Sequence, residues 1–497
     1  MARRPGAGGA RSGEAASFDP SAHPPTPSLE RFTRRYPRYV VPERLQPILD
    51  DVRPLAERFD AAGHRLYLVG GVVRDLILGK VSPDYDLTTD ARPEETLTVL
   101  DGWADAVWEQ GRAFGTIGFR KDGRTFEVTT HRAEAYRADS RKPHVTYADD
   151  VTVDLSRRDF TVNAMALRLP DVELIDPYGG VADLAAQRLR TPLGPEVSFS
   201  DDPLRMLRAA RFMAAYGLEP DPELVAAVTR MRDRLDIVSV ERIRDELSKL
   251  LVTDDPSDGL WFLADTGLAD EFLPELGAMR LEQDPIHRHK DVLAHTIAVV
   301  AKTTPNLVVR LAALLHDVGK PKTRSIGSRG VSFHHHEVVG ARMARERMRA
   351  LRYPNELVDD VGKLVFLHLR FHGYRDDVWS DAAVRRYARD AGDLLDELNE
   401  LTRCDCTTRN ERKARMLANR MDALEARIAE LREREELASI RPDIDGNRVM
   451  EVLGVPPGRV VGEALDMLLE ARLDEGPLGE AEAEKRLLTW WEARQAG

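Results

Sequence analysis

Near Gly180 the chain changes character, and that change constrains its fold more than any other feature. Between about residues 105 and 170 apolar and polar residues alternate as strands do, as in Thr116-Ile117-Gly118-Phe119 and Thr125-Phe126-Glu127-Val128-Thr129, with a turn signal at Asp122-Gly123 between them. Beyond Asp176-Pro177-Tyr178-Gly179-Gly180 the strands are expected to vanish, and almost every segment spaces its apolar residues as an amphipathic helix does. A chain that finishes its strands before it starts its helices is expected to be α+β, with a mixed sheet and its helices at the N-terminal end and an all-helical remainder. The stretch from 411 to 437, dense in Ala, Glu, Arg and Leu, reads as one long exposed helix.

The N-terminal end has its own internal order. Residues 43–62 carry a helical pattern, the apolar run Leu66–Val69 reads as a strand, and the strand runs directly into Gly70-Gly71 and a new helical segment. Glycines at that junction let backbone approach a ligand, and the first N–H groups of the next helix suit phosphate; Arg74, one turn in, adds a fixed cation. Asp84-Tyr85-Asp86 follows. Alternate residues of a strand face one way, so both carboxylates would project to the same side and hold Mg²⁺, as phosphoryl transfer requires. Glu127, on the neighbouring hairpin, is a candidate third acidic group.

Composition narrows the partners. A net charge of −12 argues against indiscriminate nucleic-acid binding, yet arginines are bunched at 205, 208 and 211, at 385, 386 and 389, and at 409, 412 and 415, each bunch by itself more readily a solvated helix face than a basic groove. No run approaches the roughly 18 apolar residues that span a bilayer, and the first 28 residues hold no apolar signal core, so a cytoplasmic protein is expected. The two cysteines, Cys404 and Cys406, are too few for a disulfide framework and read as small half-buried residues.

Val69-Gly70-Gly71-Val72-Val73-Arg74-Asp75 with Asp84-Tyr85-Asp86-Leu87-Thr88-Thr89 resembles the first motif of the class II CCA-adding enzymes and bacterial poly(A) polymerases, in the polymerase beta-like nucleotidyltransferase superfamily. Arg157-Arg158-Asp159-Phe160-Thr161-Val162-Asn163-Ala164 is similar to the second, which in the family contacts the ribose and triphosphate of the incoming nucleotide. Asp176-Pro177 with Gly179-Gly180 and Asp183-Leu184 resembles the third, a hinge. Asp201-Asp202-Pro203-Leu204-Arg205 resembles the fourth, with Asp where many relatives begin with Glu, and Val240-Glu241-Arg242-Ile243-Arg244-Asp245-Glu246-Leu247 the fifth, a structural helix. The resemblance implies template-independent addition of C, C and A from CTP and ATP to the 3′ end of tRNA, catalysed through Asp84 and Asp86. It implies a nucleotide site of Gly70, Gly71, Arg74, Arg157, Arg158, Asp159, Asn163, Asp202, Arg205 and Arg208.

Asp202 and Arg205, three apart and so expected on one helical face, offer an acceptor beside a donor. Cytosine and adenine both present an amino donor beside a ring-nitrogen acceptor and match this pair. Uracil and guanine present a carbonyl beside an N–H and would leave partly desolvated polar groups unpaired. The pair accounts for choice of C and A, not for their order.

Further along lie His295, the adjacent His316 and Asp317 within an apolar run, His336, His368 and Asp405. Burying an adjacent imidazole and carboxylate needs a partner, and a metal is one. The order resembles the HD superfamily of metal-dependent phosphohydrolases, which implies His295, His316, Asp317 and Asp405 as core ligands of a transition metal such as Mn²⁺, Ni²⁺, Fe or Co, with His336 and His368 bringing a second. His334 and His335 read as solvated loop histidines. The expected divisions are a disordered tail (1–30), a nucleotidyltransferase head (31–180), a helical neck that reads the base (181–275), an HD domain (276–410) and a C-terminal helical region (411–497). The turns at Asp445-Gly446-Asn447-Arg448 and Gly454-Val455-Pro456-Pro457-Gly458-Arg459 resemble the family's body segment, and the arginines from 385 to 415 are expected to hold the acceptor and T arms of tRNA. Competing expectations are a poly(A) polymerase, an A-adding enzyme working with a CC-adding partner, and a catalytically silent RNA-binding protein on the same scaffold.

Overall fold

A computed structural model describes residues 46–80, 85–137, 140–281, 291–327, 330–373, 380–406, 410–435 and 440–496. The expected tail, and Asp84, lie outside them. The chain divides into two compact units, Met1–Pro54 and Leu55–Gly497. Of the first only the opening turns of the helix Gln46–Ala61 are described, and everything below concerns the second.

The strands are β1 (Leu66–Val69), β2 (Tyr85–Thr89), β3 (Ala106–Trp108), β4 (Thr116–Lys121), β5 (Arg124–Thr130), β6 (Arg132–Arg137), β7 (Ser140–Tyr147), β8 (Ala166–Leu169), β9 (Glu173–Ile175), β10 (Arg188–Leu189), β11 (Glu219–Pro220), β12 (Arg324–Gly327) and β13 (Gly330–Phe333). Seven form one mixed sheet in the order β3-β4-β5-β2-β1-β8-β9, while β6 and β7 pair separately as a hairpin. All four residues of β1 are buried, as its unbroken apolar run requires of a central strand. Asp122 and Gly123, at φ 50° and 78°, make the tight turn that joins β4 to β5. Returning the chain through β3 and β4 lays β5 parallel to β2, and the register sets Asp86 directly against Glu127.

Strands do not vanish after Gly180. The parallel pair β10–β11 and the hairpin β12–β13 are only two and four residues long, too short to show an alternation against the helical pattern around them. The helices otherwise share one apolar core that runs without interruption from Phe160 to Leu473. At its centre Arg310, almost wholly buried, donates to the carbonyls of Leu251, Thr253 and Asp254 and to those of Thr303 and Thr304. One guanidinium thus satisfies the carbonyl ends of helices Val240–Leu251 and Val292–Lys302, which a helix cannot satisfy itself.

The expected exposed helix is Glu411–Arg434, but one face is not exposed. Leu417, Met421, Leu424, Ile428 and Leu431 recur at three- and four-residue spacing and are buried against the shared core. The last three helices, Gly446–Leu453, Arg459–Glu475 and Glu480–Ala496, have a small core of their own around Val449, Ala464, Leu468, Ala483 and Leu487. No helix among the described residues is long and apolar enough to cross a membrane.

Candidate active sites of the head and the helical remainder

Paired residues of parallel strands face the same side of a sheet, so Asp86 and Glu127 present their carboxylates together. Both are exposed, and with Tyr85 and Thr125 they line a small cleft of about 230 Å³. Two acidic side chains on adjacent rigid strands, open to solvent and to a ligand, fit the donor set of Mg²⁺.

Gly70 adopts φ 73° at the junction of β1 and the helix Gly71–Leu78, and a Cβ there would meet the Arg158 guanidinium at 2.5 Å. The left-handed backbone favours glycine here, and the close approach is to the mobile end of the Arg158 side chain. The Gly70 N–H donates to the Met165 carbonyl at 3.2 Å. Arg157 and Arg158 are both held by Asp154, a fully buried carboxylate that accepts from Arg157 at 2.7 Å and from Arg158 at 3.2 Å. The two second-motif arginines are thereby turned to one side.

Arg74, Asn163, Asp159 and Arg208 form one largely buried chain of hydrogen bonds. Arg74 donates to Asn163 Oδ1 at 2.6 Å and to Asp75, with Tyr216 stacked against its guanidinium at 4.1 Å. Asn163 donates to Asp159 at 2.9 Å, and Asp159 accepts from Arg208 Nε at 2.9 Å. Burial alone would raise the Asp159 carboxyl, but the Arg208 charge and the bond from Asn163 outweigh it and hold it far below the usual carboxylate range. Arg208 and Arg211 also meet the buried Glu246. These arginines are not the solvated helix face that their spacing allowed. They tie helix Leu204–Tyr216 to the second-motif loop through Asp159 and to helix Val240–Leu251 through Glu246.

Asp202 and Arg205 do not share a helix face. Asp202 is in extended conformation at the elbow between helices Pro195–Asp201 and Leu204–Tyr216, because Pro203 opens the second helix and the first has ended. The elbow still brings the pair to one place: the Arg205 N–H bonds the Asp202 carbonyl at 3.0 Å. The buried Arg205 guanidinium is aimed by Ser198 and by the Arg157 carbonyl. Asp202 is held by Arg242 at 2.6 Å.

The histidines and aspartates of the helical remainder converge. His295, His316 and Asp405 form one group and Asp317, His336 and His368 another, each with donor atoms within 4.8 Å of one another. His295 Nε2 lies 2.9 Å from Asp405, and Asp317 joins the groups, one oxygen 3.2 Å from His316 and the other 3.5 Å from His336. His316, His336 and His368 each place Nδ1 on the carbonyl three residues earlier, at 2.7, 2.7 and 2.6 Å, which turns every Nε2 inward. Burial lowers His336, and lowers His368 to about 4, so both rings are neutral; their Nε2 atoms are buried with no hydrogen-bond partner among the described residues. Burial also disfavours charge on His316, yet Asp317 and Asp405 overcome it and push its pKa up to about 10. Converging neutral imidazoles with orphaned acceptors, beside two buried carboxylates, fit one or two divalent transition metals. Lys320 Nζ sits 2.7 Å from Asp317.

Asp154 and Lys320 were not found by sequence reasoning, and Arg242 and Glu246 were read only as part of a structural helix. Asp154 and Glu246 are acidic residues in helical patterns, and only packing shows that they are buried hubs. Lys320 follows Asp317 by three residues, a spacing that could have suggested contact. Among the arginines expected to hold RNA, Arg385 is buried, with both ends on Glu435, and Arg386 is paired with Glu470 and Asp474. Their partners are distant in sequence. Cys404 and Cys406 are half-buried free thiols, raised to about 11 by burial.

Comparison with known proteins gives the family and the fold. Residues 66–190 match the poly A polymerase head domain, 217–279 the probable RNA and SrmB-binding site of polymerase A, and 292–431 the HD domain. The chain is 33% identical over 447 residues to the A-adding tRNA nucleotidyltransferase of Deinococcus radiodurans, covering 86% of this chain and 96% of that one. It is 38% identical over 227 residues to the CCA-adding enzyme of Levilactobacillus brevis, covering 46% of this chain and 56% of the relative. In fold it is similar to the Bacillus stearothermophilus CCA-adding enzyme solved in complex with CTP, with a TM-score of 0.64 at 24% identity over 91% of this chain and 99% of that one. The Thermotoga maritima CCA-adding enzyme complexed with tRNA follows with a TM-score of 0.57 at 20% identity, covering 91% and 98%.

Proposed function

The chain belongs to the tRNA nucleotidyltransferase family of CCA-adding and A-adding enzymes, and on that footing we propose that it adds C, C and A from CTP and ATP to the 3′ end of tRNA. The observation that carries this reading is the in-register pair Asp86 and Glu127 lining an open cleft. In the reaction the tRNA 3′-hydroxyl attacks the α-phosphate of the nucleotide, a new P–O bond forms, and pyrophosphate leaves. Asp86 and Glu127, with Asp84, would hold Mg²⁺, which when bound neutralises the triphosphate and favours the attacking oxygen. Arg157 and Arg158, fixed by Asp154, bind the triphosphate. Asp159 is filled by the Phe160 N–H, Asn163 and Arg208, and Asn163 is held between Asp159 and Arg74, so both act by positioning and keep the second motif set against the neck. Asp202 accepts the amino proton of cytosine or adenine and Arg205 donates to the ring nitrogen.

A second reading, addition of the terminal A alone, is favoured by one observation: the relative matched over nearly its whole length is an A-adding enzyme, whereas the chain spans about half the length of the CCA-adding relatives it matches. The test is to give purified protein a tRNA ending before CCA and another ending in CC, with labelled CTP and ATP separately and together. Three residues added to the first tRNA support CCA addition. One A added only to the second supports the alternative, and a long A tail overturns both.

The converging histidines and aspartates act as a metal-dependent phosphohydrolase centre, with His295, His316, Asp317 and Asp405 as ligands and His336 and His368 completing a second position. Mn²⁺, Ni²⁺, Fe or Co suits imidazole and carboxylate together. The proposed divisions are those of the sequence, the tail to residue 30, then the head to 180, neck to 275, HD domain to 410 and C-terminal region, and a protein with these substrates works in the cytoplasm.

A further inference from the structure

Asp202 can read a base only if its carboxylate faces the base in one orientation, and an aspartate at an elbow between two helices has no helical packing to impose one. The hydrogen bonds on it do. Oδ1 accepts from the Leu204 N–H at 3.2 Å and from Arg242 Nη1 at 3.4 Å, and Oδ2 accepts from Arg242 Nη2 at 2.6 Å. A carboxylate has about four acceptor positions. Three are filled, so among the described residues a single position remains, on Oδ2. Asp202 is partly exposed, with 22% of its side chain accessible, so that position can be reached by a ligand. Cytosine and adenine each bring one amino donor to it.

We propose that Arg242, on the helix Val240–Leu251, is a positioning residue for base selection: its planar fork locks Asp202 so that one acceptor is offered and a base carbonyl is refused. The inference rests on the reading of Asp202 and Arg205 as the base-reading pair. The forked contact of guanidinium on carboxylate is directional in a way that a lysine cannot reproduce. Arg242 itself touches neither nucleotide nor RNA in this reading. Its side chain is 44% exposed and is not part of the shared core, so its removal leaves that core intact.

The selectivity predicted for Arg242→Ala follows from rotational freedom. An unlocked carboxylate can turn away from a base carbonyl, so the penalty against UTP and GTP falls. The ratio of kcat/KM for CTP and ATP to that for UTP and GTP should drop about tenfold, the value of one oriented charge-assisted hydrogen bond. Arg242→Lys, which keeps charge and one bond but not the fork, should fall between. Circular dichroism and tRNA affinity should match the native protein in both, and Asp202→Ala is measured beside them. If Asp202→Ala relaxes selection while Arg242→Ala selects as the native enzyme does, the inference is wrong and the base reading stands. If Asp202→Ala itself selects normally, the base reading is wrong. A lower KM for CTP and ATP in Arg242→Ala, with selection kept, would overturn the proposal in another way, by making Arg242 a competitor of the base.

Discussion

Asp86 matters because of its register with Glu127, not because it is acidic. Replacing Asp86 with Ala removes one of the carboxylates proposed to hold the metal and touches no RNA contact, so nucleotide addition should fall by about 10³-fold or more while the Kd for tRNA stays within about threefold. Normal addition by the variant, measured in the same preparation that binds tRNA, would remove Asp86 from the chemistry. His131 illustrates a buried group with a stability role. It is wholly buried beside Tyr67, with Nδ1 2.8 Å from Thr88 Oγ1, and burial lowers its pKa to about 4. Between that value and the ordinary 6.5 the unfolded chain takes up a proton that the native protein refuses, so acid favours unfolding. Its full contribution is present above about pH 6.5 and is lost as pH falls toward 4. By this account the native protein loses about 2 kcal/mol between pH 7.5 and 5.0 through His131 alone. Urea denaturation at both pH values should find that difference smaller by this amount in His131→Asn, and an unchanged difference would show that His131 does not titrate in this window.

Elements place ligands that sequence spacing leaves far apart. His316 and Asp317 end the helix Leu307–Leu315, while His336 opens the helix His336–Ala350 after the hairpin β12–β13. What brings them together is Gly319: a Cβ there would lie 2.2 Å from the His336 carbonyl and 2.8 Å from the Gly340 N–H. Those are backbone atoms and cannot swing aside, so the two segments would have to separate. Gly319→Ala is therefore expected to move His336 from Asp317, to cost about 1–3 kcal/mol of stability by overpacking, and to weaken binding at the second metal position before the first. Metal content after dialysis against Mn²⁺, measured beside thermal unfolding, tests it. Retention of two metals at native stability would show that the approach is looser than the structure has it.

At the scale of the molecule the two sites are chemically distinct but share a scaffold. One apolar core runs from Phe160 to Leu473, and Arg310 clamps the end of the neck helix Val240–Leu251 to that of Val292–Lys302. Cutting between neck and HD helices would expose that core, so point substitutions are the way to separate the activities. His316→Ala with Asp317→Ala removes two adjacent ligands and should abolish transition-metal binding and any hydrolysis of phosphoester or cyclic phosphodiester ends. CCA addition in Mg²⁺ should persist within about threefold, provided that circular dichroism shows the helices intact, because among the described residues both side chains bond and pair with residues between 295 and 405. Loss of addition in a folded double variant would mean that the sites are coupled through the common core.

Local patterns carried much of this protein. The strand, glycine and helix of Leu66–Leu78, the turn at Asp122-Gly123 and the helix Glu411–Arg434 follow from periodicity and turn chemistry, which act over a few residues. So did the residue types of both candidate sites, because carboxylates and imidazoles declare their chemistry wherever they fall. Partnerships over long separations were decided only by tertiary structure. The β2–β5 register that faces Asp86 with Glu127, the burial of Asp154 under two arginines, the loss of Arg385 to Glu435 and the hold of Arg242 on Asp202 each join residues at least 40 apart or depend on what covers them. Sequence spacing says which side of its own element a residue takes. Which other element meets that side is decided by how the whole chain buries its apolar surface.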